Sequence, residues 1–248
     1  MLDRDTLDTL PTADLADLNL RTDSLTEAAV MFIGYQRTKQ ISKAAKTAWE
    51  AGDHAAMAAE VAARRTKIIQ GVLEEIWREY LPLRDHLTKG GAHPRRVADI
   101  GCGAGINDLF LHHDFAPQFT LIDIETTPDQ YHGWAGSGAG YASLTSARAL
   151  LEENGASDIT AINPRENPEA MAHVTADLVT SLYSCGFHYP VDEYLDLFLA
   201  TLASGGAVCL DLRGRYYRRK PPGLAKLLDA GPVTELYHDR RSVRVIVG

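Results

Sequence analysis

Only three of the 248 residues are cysteine, Cys102, Cys185 and Cys209, and they are odd in number and widely spaced. Such a set supports neither a disulfide framework nor a zinc site, and it fits a reducing cytoplasm. No uninterrupted apolar run reaches the length needed to cross a bilayer, so no membrane partner is expected. The opening stretch MLDRDTLDTLPTADLADLNL is acidic and lacks an apolar signal core, so no secretory leader is read there. Basic residues are the minority: 25 Lys and Arg against 33 Asp and Glu leave a formal net charge of −8. A broad cationic face for nucleic acid is therefore not expected. Beyond the short run GWAGSGAG there is no low-complexity tract, and no internal repeat. What is present suffices for a core: 45% of residues are hydrophobic, in a chain the size of one large domain or one domain with a helical appendage.

The first twenty or so residues read as a loose acidic lead-in, partly disordered or weakly helical. SLTE at 24–27 has the form of a capping box, with Ser24 as N-cap and Glu27 reaching back. The helix it opens is expected to run to about Ala51 and stop at Gly52, after which Asp53 caps a second helix. Val61, Ile68, Ile69, Val72, Ile76, Trp77 and Tyr80 recur at helical spacing and mark a buried face, with Pro82 and KGG at 89–91 punctuating the end. Residues 1–90 thus read as a helical cap without strand signals. From Arg96 onward strands and helices alternate, with strand candidates at 96–100, 119–124, 158–163, 176–183 and 206–212. That alternation predicts a parallel sheet covered on both faces. PVTELYHD and SVRVIVG, flanking a short polar turn, predict a closing antiparallel hairpin.

Two stretches carry the chemistry. In RRVADIGCGAG (95–105) a strand ends in Asp99 and breaks into Gly101, Gly103 and Gly105; in FTLIDIE (119–125) a second strand ends in Asp123. Glycines after a strand let backbone approach a ligand, and the helix that follows offers free N–H groups. A dinucleotide favours G-x-G-x-x-G, and an acid just before the loop repels its pyrophosphate. An ammonium group would instead be drawn to Asp99. S-adenosyl-L-methionine supplies that ammonium with a sulfonium and a carboxylate, and Asp123 suits its ribose hydroxyls.

At these residues the sequence resembles the class I S-adenosylmethionine-dependent methyltransferases. VADIGCGAG looks like their first motif, LIDIE like the acidic end of their second strand, ADLVTSLYSCGFHY like their fourth-strand motif, and LASGGAVCLDLR like the turn and fifth strand. The resemblance covers residues 95–248. It implies an α/β fold, a doubly wound, mostly parallel seven-stranded Rossmann-like methyltransferase sheet with a C-terminal antiparallel hairpin, here behind an N-terminal helical cap (1–90). It also implies a cofactor set: Asp99, Gly101, Cys102 and Gly103 at the loop, Asp123 and Ile124 at the second acid, Asn163, and Ser181, Leu182 and Tyr183 after the fourth strand. Asn163 before Pro164 reads equally as a turn residue, Asp123 also as a strand-end turn, and Leu182 also as core. GFHYPVDEYL and YHGWAGSGAGYASL are further similar to bacterial sugar O-methyltransferases, which points to a sugar acceptor.

Methyl transfer to an alcohol needs the nucleophile aligned and its proton removed. His188, just past the fourth strand at the carboxyl edge of the sheet, is the candidate base, with a structural histidine as the plain alternative. His112 and His113 are adjacent, diverge on a helix and read as surface residues, and no metal-ligand constellation is recognised. RGRYYRRK at 213–220 is a basic loop at the ligand edge, where Arg213 or Arg215 would fork onto an anionic substrate; a solvated loop is the bland reading. Tyr131, Trp134 and Tyr141 suit either an aromatic lid or ordinary loop anchors. Tyr35 and Gln36 belong to a helical front that closes over the substrate or forms a homodimer contact. The leading reading is a small-molecule O-methyltransferase; the alternatives are an NAD(P)-dependent oxidoreductase, whose third glycine at dinucleotide spacing this loop lacks, and a non-catalytic S-adenosylmethionine-binding protein.

Overall fold

The computed structural model describes residues 2–125 and 142–248. Its centre is a sheet whose strands fall close to the expected ones: β2 (Arg96–Ile100), β3 (Gln118–Ile122), β4 (Ile159–Ile162), β5 (Leu178–Ser181) and β6 (Ala207–Arg213). All five run parallel, while β8 (Ser242–Val247) pairs antiparallel with both β6 and β7 (Val233–His238). The sheet has eight strands rather than seven. Leu2–Asp3 form β1, which adds parallel to β7 at the edge, giving the order β1-β7-β8-β6-β5-β2-β3-β4.

Period-two alternation divides the sheet residues between two cores. Val97, Phe119, Leu121 and Cys209 face one cluster; Ala98, Ile100, Ile122, Val208 and Leu210 face the other. The first core is closed by helices α5 (Ala55–Lys89), α6 (Ile106–Phe115) and α7 (Leu144–Glu153), the second by α8 (Leu195–Ala203) and α10 (Pro222–Leu228). The N-terminal helices α3 (Glu27–Gln36) and α4 (Lys43–Glu50) pack on α5 and share its core.

The N-terminal third departs from expectation in ways that packing explains. The lead-in is structured from Leu2: Asp3 caps α1 (Arg4–Asp8) by accepting from Thr6 N–H at 2.8 Å, and Leu7 is fully buried. Thr26, not Ser24, caps α3 and accepts from Ala29 N–H at 3.1 Å. Ser24 is drawn off because its hydroxyl donates to Glu153 at 2.6 Å, 129 residues away. The predicted single helix to Ala51 is broken between Arg37 and Ser42, and Ser42 caps α4. Pro82 does not end α5, which continues to Lys89. The missing N–H costs one helical bond, and burial of Leu83 and Leu87 beyond it keeps the helix going. Among the described residues no helix is long and apolar enough to cross a membrane.

Candidate active site

β2 delivers the chain to Gly101, whose φ of 73° lies in the left-handed region. A Cβ there would fall 2.0 Å from the Ser184 hydroxyl, so only glycine lets the loop lie against the segment after β5. Gly101 N–H donates to Ile122 carbonyl at 2.7 Å, which locks the loop to the end of β3. Gly105, also left-handed, starts α6 in contact with Ala147. The loop is thus held on three sides and presents its fourth to a cavity of about 730 Å³. That volume is within the range that takes a small ligand.

Asp123 stands on the cavity wall one residue past β3. Its Oδ2 accepts from Gly103 N–H at 3.0 Å and its Oδ1 from Glu125 N–H at 3.2 Å. Burial raises its carboxyl to about 6 in spite of these hydrogen bonds. Ile124, Cys102 and Gly103 line the same wall. Burial pushes the Cys102 thiol well above its ordinary value, which suits a packing residue rather than a nucleophile.

Asp99 is placed differently from the expectation. It is 4% exposed, lies beneath the loop and does not line the cavity; its Oδ1 accepts from the Thr180 hydroxyl at 2.6 Å. Burial lifts it to about 6, and burial with the nearby Asp99 lifts Asp108 further. Neither oxygen of the buried Asp108 carboxylate has a donor while both acids are ionised. Its meeting with Asp99 becomes a hydrogen bond only when one of the two carries a proton.

After β5 the chain turns sharply. Ser181 is fully buried: its hydroxyl donates to Ile100 carbonyl at 2.7 Å and accepts from Cys185 N–H at 2.9 Å. It therefore staples β5 to β2 and is not on the cavity wall, where the resemblance had put it beside a cofactor. Leu182 and Tyr183 do line the cavity, and Tyr183 has a φ of 53°. A left-handed tyrosine is strained and persists only where its surroundings hold it. Here Arg37 sits over its ring at 5.5 Å and its hydroxyl meets that of Tyr237. His188 follows on the same wall, its ring T-shaped to that of Phe187 at 4.9 Å, and Arg213 lies over the Phe187 ring at 5.3 Å.

Three other expected site residues do not line the cavity. Asn163 lies off the cavity and its Oδ1 accepts from Arg165 N–H at 3.1 Å, which is the turn reading. Tyr35 is 3% exposed and stacks on Trp49 at 5.3 Å, inside the helical layer. Arg215 is exposed and does not line the cavity, because α9 (Gly214–Arg219) begins between it and Arg213 and turns it away. Tyr131, Trp134 and Tyr141 lie outside the described residues. Of the two adjacent histidines, His113 is exposed as expected and His112 is half-buried near Phe119.

The helical front supplies a wall that sequence reasoning reached only through Gln36. Glu79 of α5, buried, accepts from Arg4 at 2.7 Å and from Arg37 at 2.8 Å, and all three line the cavity. Burial would raise the Glu79 carboxyl, but Arg37, Arg244 and Arg4 outweigh it and hold it below its usual value. The one available signal was an acid inside the apolar stripe, between Ile76 and Tyr80. Asn107, on the first turn of α6, also lines the cavity; its side-chain nitrogen and oxygen are both buried without a hydrogen-bond partner.

No family model matches the chain, and no curated protein matches it. Solved structures do. The ribosomal protein L11 methylase of Lactobacillus delbrueckii subsp. bulgaricus shares 18% identity at a TM-score of 0.41, over 62% of this chain and 68% of that one. An O-methyltransferase family protein from Burkholderia thailandensis shares 15% at 0.44, over 75% and 60%. The bifunctional kinase-methyltransferase WbdD shares 22% at 0.43, over 71% and 38%, so this chain spans well under half of it. The sheet of this chain, mostly parallel with a closing antiparallel hairpin, has the Rossmann-like arrangement expected from the motifs.

Proposed function

We propose that the protein transfers a methyl group from S-adenosyl-L-methionine to a hydroxyl of a small polar metabolite. The observation that carries this reading is the convergence of the glycine loop, Asp123 and His188 on one cavity at the carboxyl edge of the parallel strands.

The residues present fit the cofactor. Gly101 and Gly103 bring bare backbone to the cavity wall, Asp123 offers a carboxylate to vicinal hydroxyls, and Asn107 holds an unsatisfied donor and acceptor on the same wall. Asp99, one layer below, acts through its field: an ionised carboxylate under the loop favours a cationic ligand above it. When bound, the cofactor supplies an activated, electrophilic methyl group. The chain's own work is to hold the acceptor in line, exclude water and take up the hydroxyl proton. His188 takes that proton, with Phe187 fixing the imidazole ring. Among polar metabolites a sugar is favoured by the resemblance of GFHYPVDEYL to sugar O-methyltransferases.

The test is a thermal-shift titration with S-adenosylhomocysteine beside NADH. A ligand that binds only the folded state raises its melting temperature, by about 2.7 kcal/mol of added stability at a hundredfold excess over Kd. Stabilisation by S-adenosylhomocysteine alone supports the reading. Stabilisation by NADH alone replaces it with a dehydrogenase.

A further inference from the structure

The charges on the cavity wall are not treated alike. Among the described residues, Arg4 and Arg37 pair with Glu79, Lys39 with Asp8, and Lys46 with Glu50. Arg213 and Arg241 line the same cavity and make no ion pair to a described carboxylate. Asp239, also on the wall, turns its Oδ1 to the backbone N–H groups of Arg241 and Ser242, each at 2.6 Å, and makes no ion pair with either guanidinium.

The two arginines come together through the sheet. Arg213 is opposite Ser242 in the β6–β8 ladder, and Gly214 N–H donates to Arg241 carbonyl at 2.7 Å. Arg213, at the end of β6, and Arg241, in the turn just before β8, therefore sit on adjacent backbone, and both line the cavity. Arg213 is further fixed over Phe187, the residue that packs on His188. Burial, then Arg215 and Arg241, lower the Arg213 pKa, so the cation is held at a cost that an anion would relieve. In a chain of formal charge −8, Arg215, Arg218 and Arg240 stand exposed near this mouth, and they would draw an anion toward it.

We propose that the acceptor carries an oxyanion, a phosphate or a carboxylate, which Arg213 and Arg241 bind at the mouth of the cavity while the hydroxyl to be methylated lies at His188. This deepens the methyl-transfer reading and rests on it for the second half of that statement. Paired guanidinium forks match the oxygens of either group, and a neutral analogue leaves both arginines unpaired. The chemistry therefore selects an anionic sugar or comparable acid over its neutral counterpart.

The experiment titrates protein loaded with S-adenosylhomocysteine with inorganic phosphate and, separately, with citrate, at constant ionic strength held by chloride, and follows binding by calorimetry or protein-observed NMR. The expected result is saturable binding of at least one of the two, weakened about tenfold by Arg213→Ala and by Arg241→Ala and abolished in the double variant. Binding of phosphate alone assigns a phosphorylated acceptor, and of citrate alone a carboxylate. Absence of saturable binding by either, or equal binding to the double variant, overturns the proposal. S-adenosylhomocysteine affinity, measured first on each protein, stays unchanged in the arginine variants. Its loss in the parent would defeat the cofactor reading, not the anion site.

Discussion

Asp123 accepts a hydrogen bond from the backbone N–H of Gly103 at 3.0 Å, so the acid at the end of the second parallel strand ties down the glycine loop after the first. One side chain thus shapes the cradle and faces the cavity. Asp123→Ala is expected to weaken S-adenosylhomocysteine binding by about 1–3 kcal/mol, the scale for stranding charged hydrogen-bond partners. Asp123→Asn keeps an acceptor for Gly103 and loses the charge, and should fall between the two. Calorimetric affinity equal to that of the parent in both variants would remove the ribose role.

Proton linkage follows from Asp99 and Asp123, each raised by burial from an ordinary 3.8 to about 6. A carboxyl raised on folding holds its proton more tightly in the folded chain. The stability it contributes is whole below its unfolded value and is lost as pH rises through about 6. A cationic ligand favours the ionised forms, so S-adenosylmethionine should bind more tightly at about pH 8 than at about pH 5 and release protons near pH 6. Calorimetry in buffers of different ionisation enthalpy reads that release. Heats near pH 6 that ignore the buffer would contradict it.

His188→Ala should reduce methyl transfer by about 10²–10⁴-fold with cofactor binding intact, the usual worth of a positioned base. The check is single-turnover rate on any acceptor found, across pH. A normal rate and an unshifted pH profile would make the residue structural.

Arg244 and Asp211 are both fully buried and joined by two hydrogen bonds, at 2.8 and 2.7 Å, and Arg244 also donates to Glu79 carbonyl. The pair fastens β8 to β6 and both to α5. Arg244→Met leaves Asp211 charged and alone, and should cost about 3–5 kcal/mol in denaturant unfolding; Arg244→Met with Asp211→Leu should recover much of it. Equal losses in the single and double variants would count against a coupled pair.

Thr26→Ala should destabilise by about 1 kcal/mol through loss of the α3 cap, an effect read from thermal or urea unfolding. Unchanged stability there would return the capping role to Ser24.

The strands were readable because their signal is local. β2 matches its expected residues from Arg96 to Ile100, since period-two burial and the glycines that stop it are neighbours in the chain. The hairpin was readable for the same reason. Capping at Ser24 was misread because Ser24 and Thr26 carry equal local signals, and the choice is made by Glu153 on a distant helix. Of the two stop signals for α5, KGG holds, with Gly90 as the C-cap, whereas Pro82 is carried inside the helix because the core beyond it repays its local penalty.

The same distinction runs through the site. Residue types and short spacings determine that Gly101 turns, that Asp123 ends a strand and that the sheet is parallel, since backbone sterics and side-chain periodicity act over a few residues. Which charges meet was decided only in three dimensions. Arg4 reaches Glu79 across 75 residues, Arg213 and Arg241 become neighbours through a strand ladder, and Asp99 drops beneath the loop it precedes. Electrostatic partners are chosen by distance in space and by burial, and neither is written in the order of the chain.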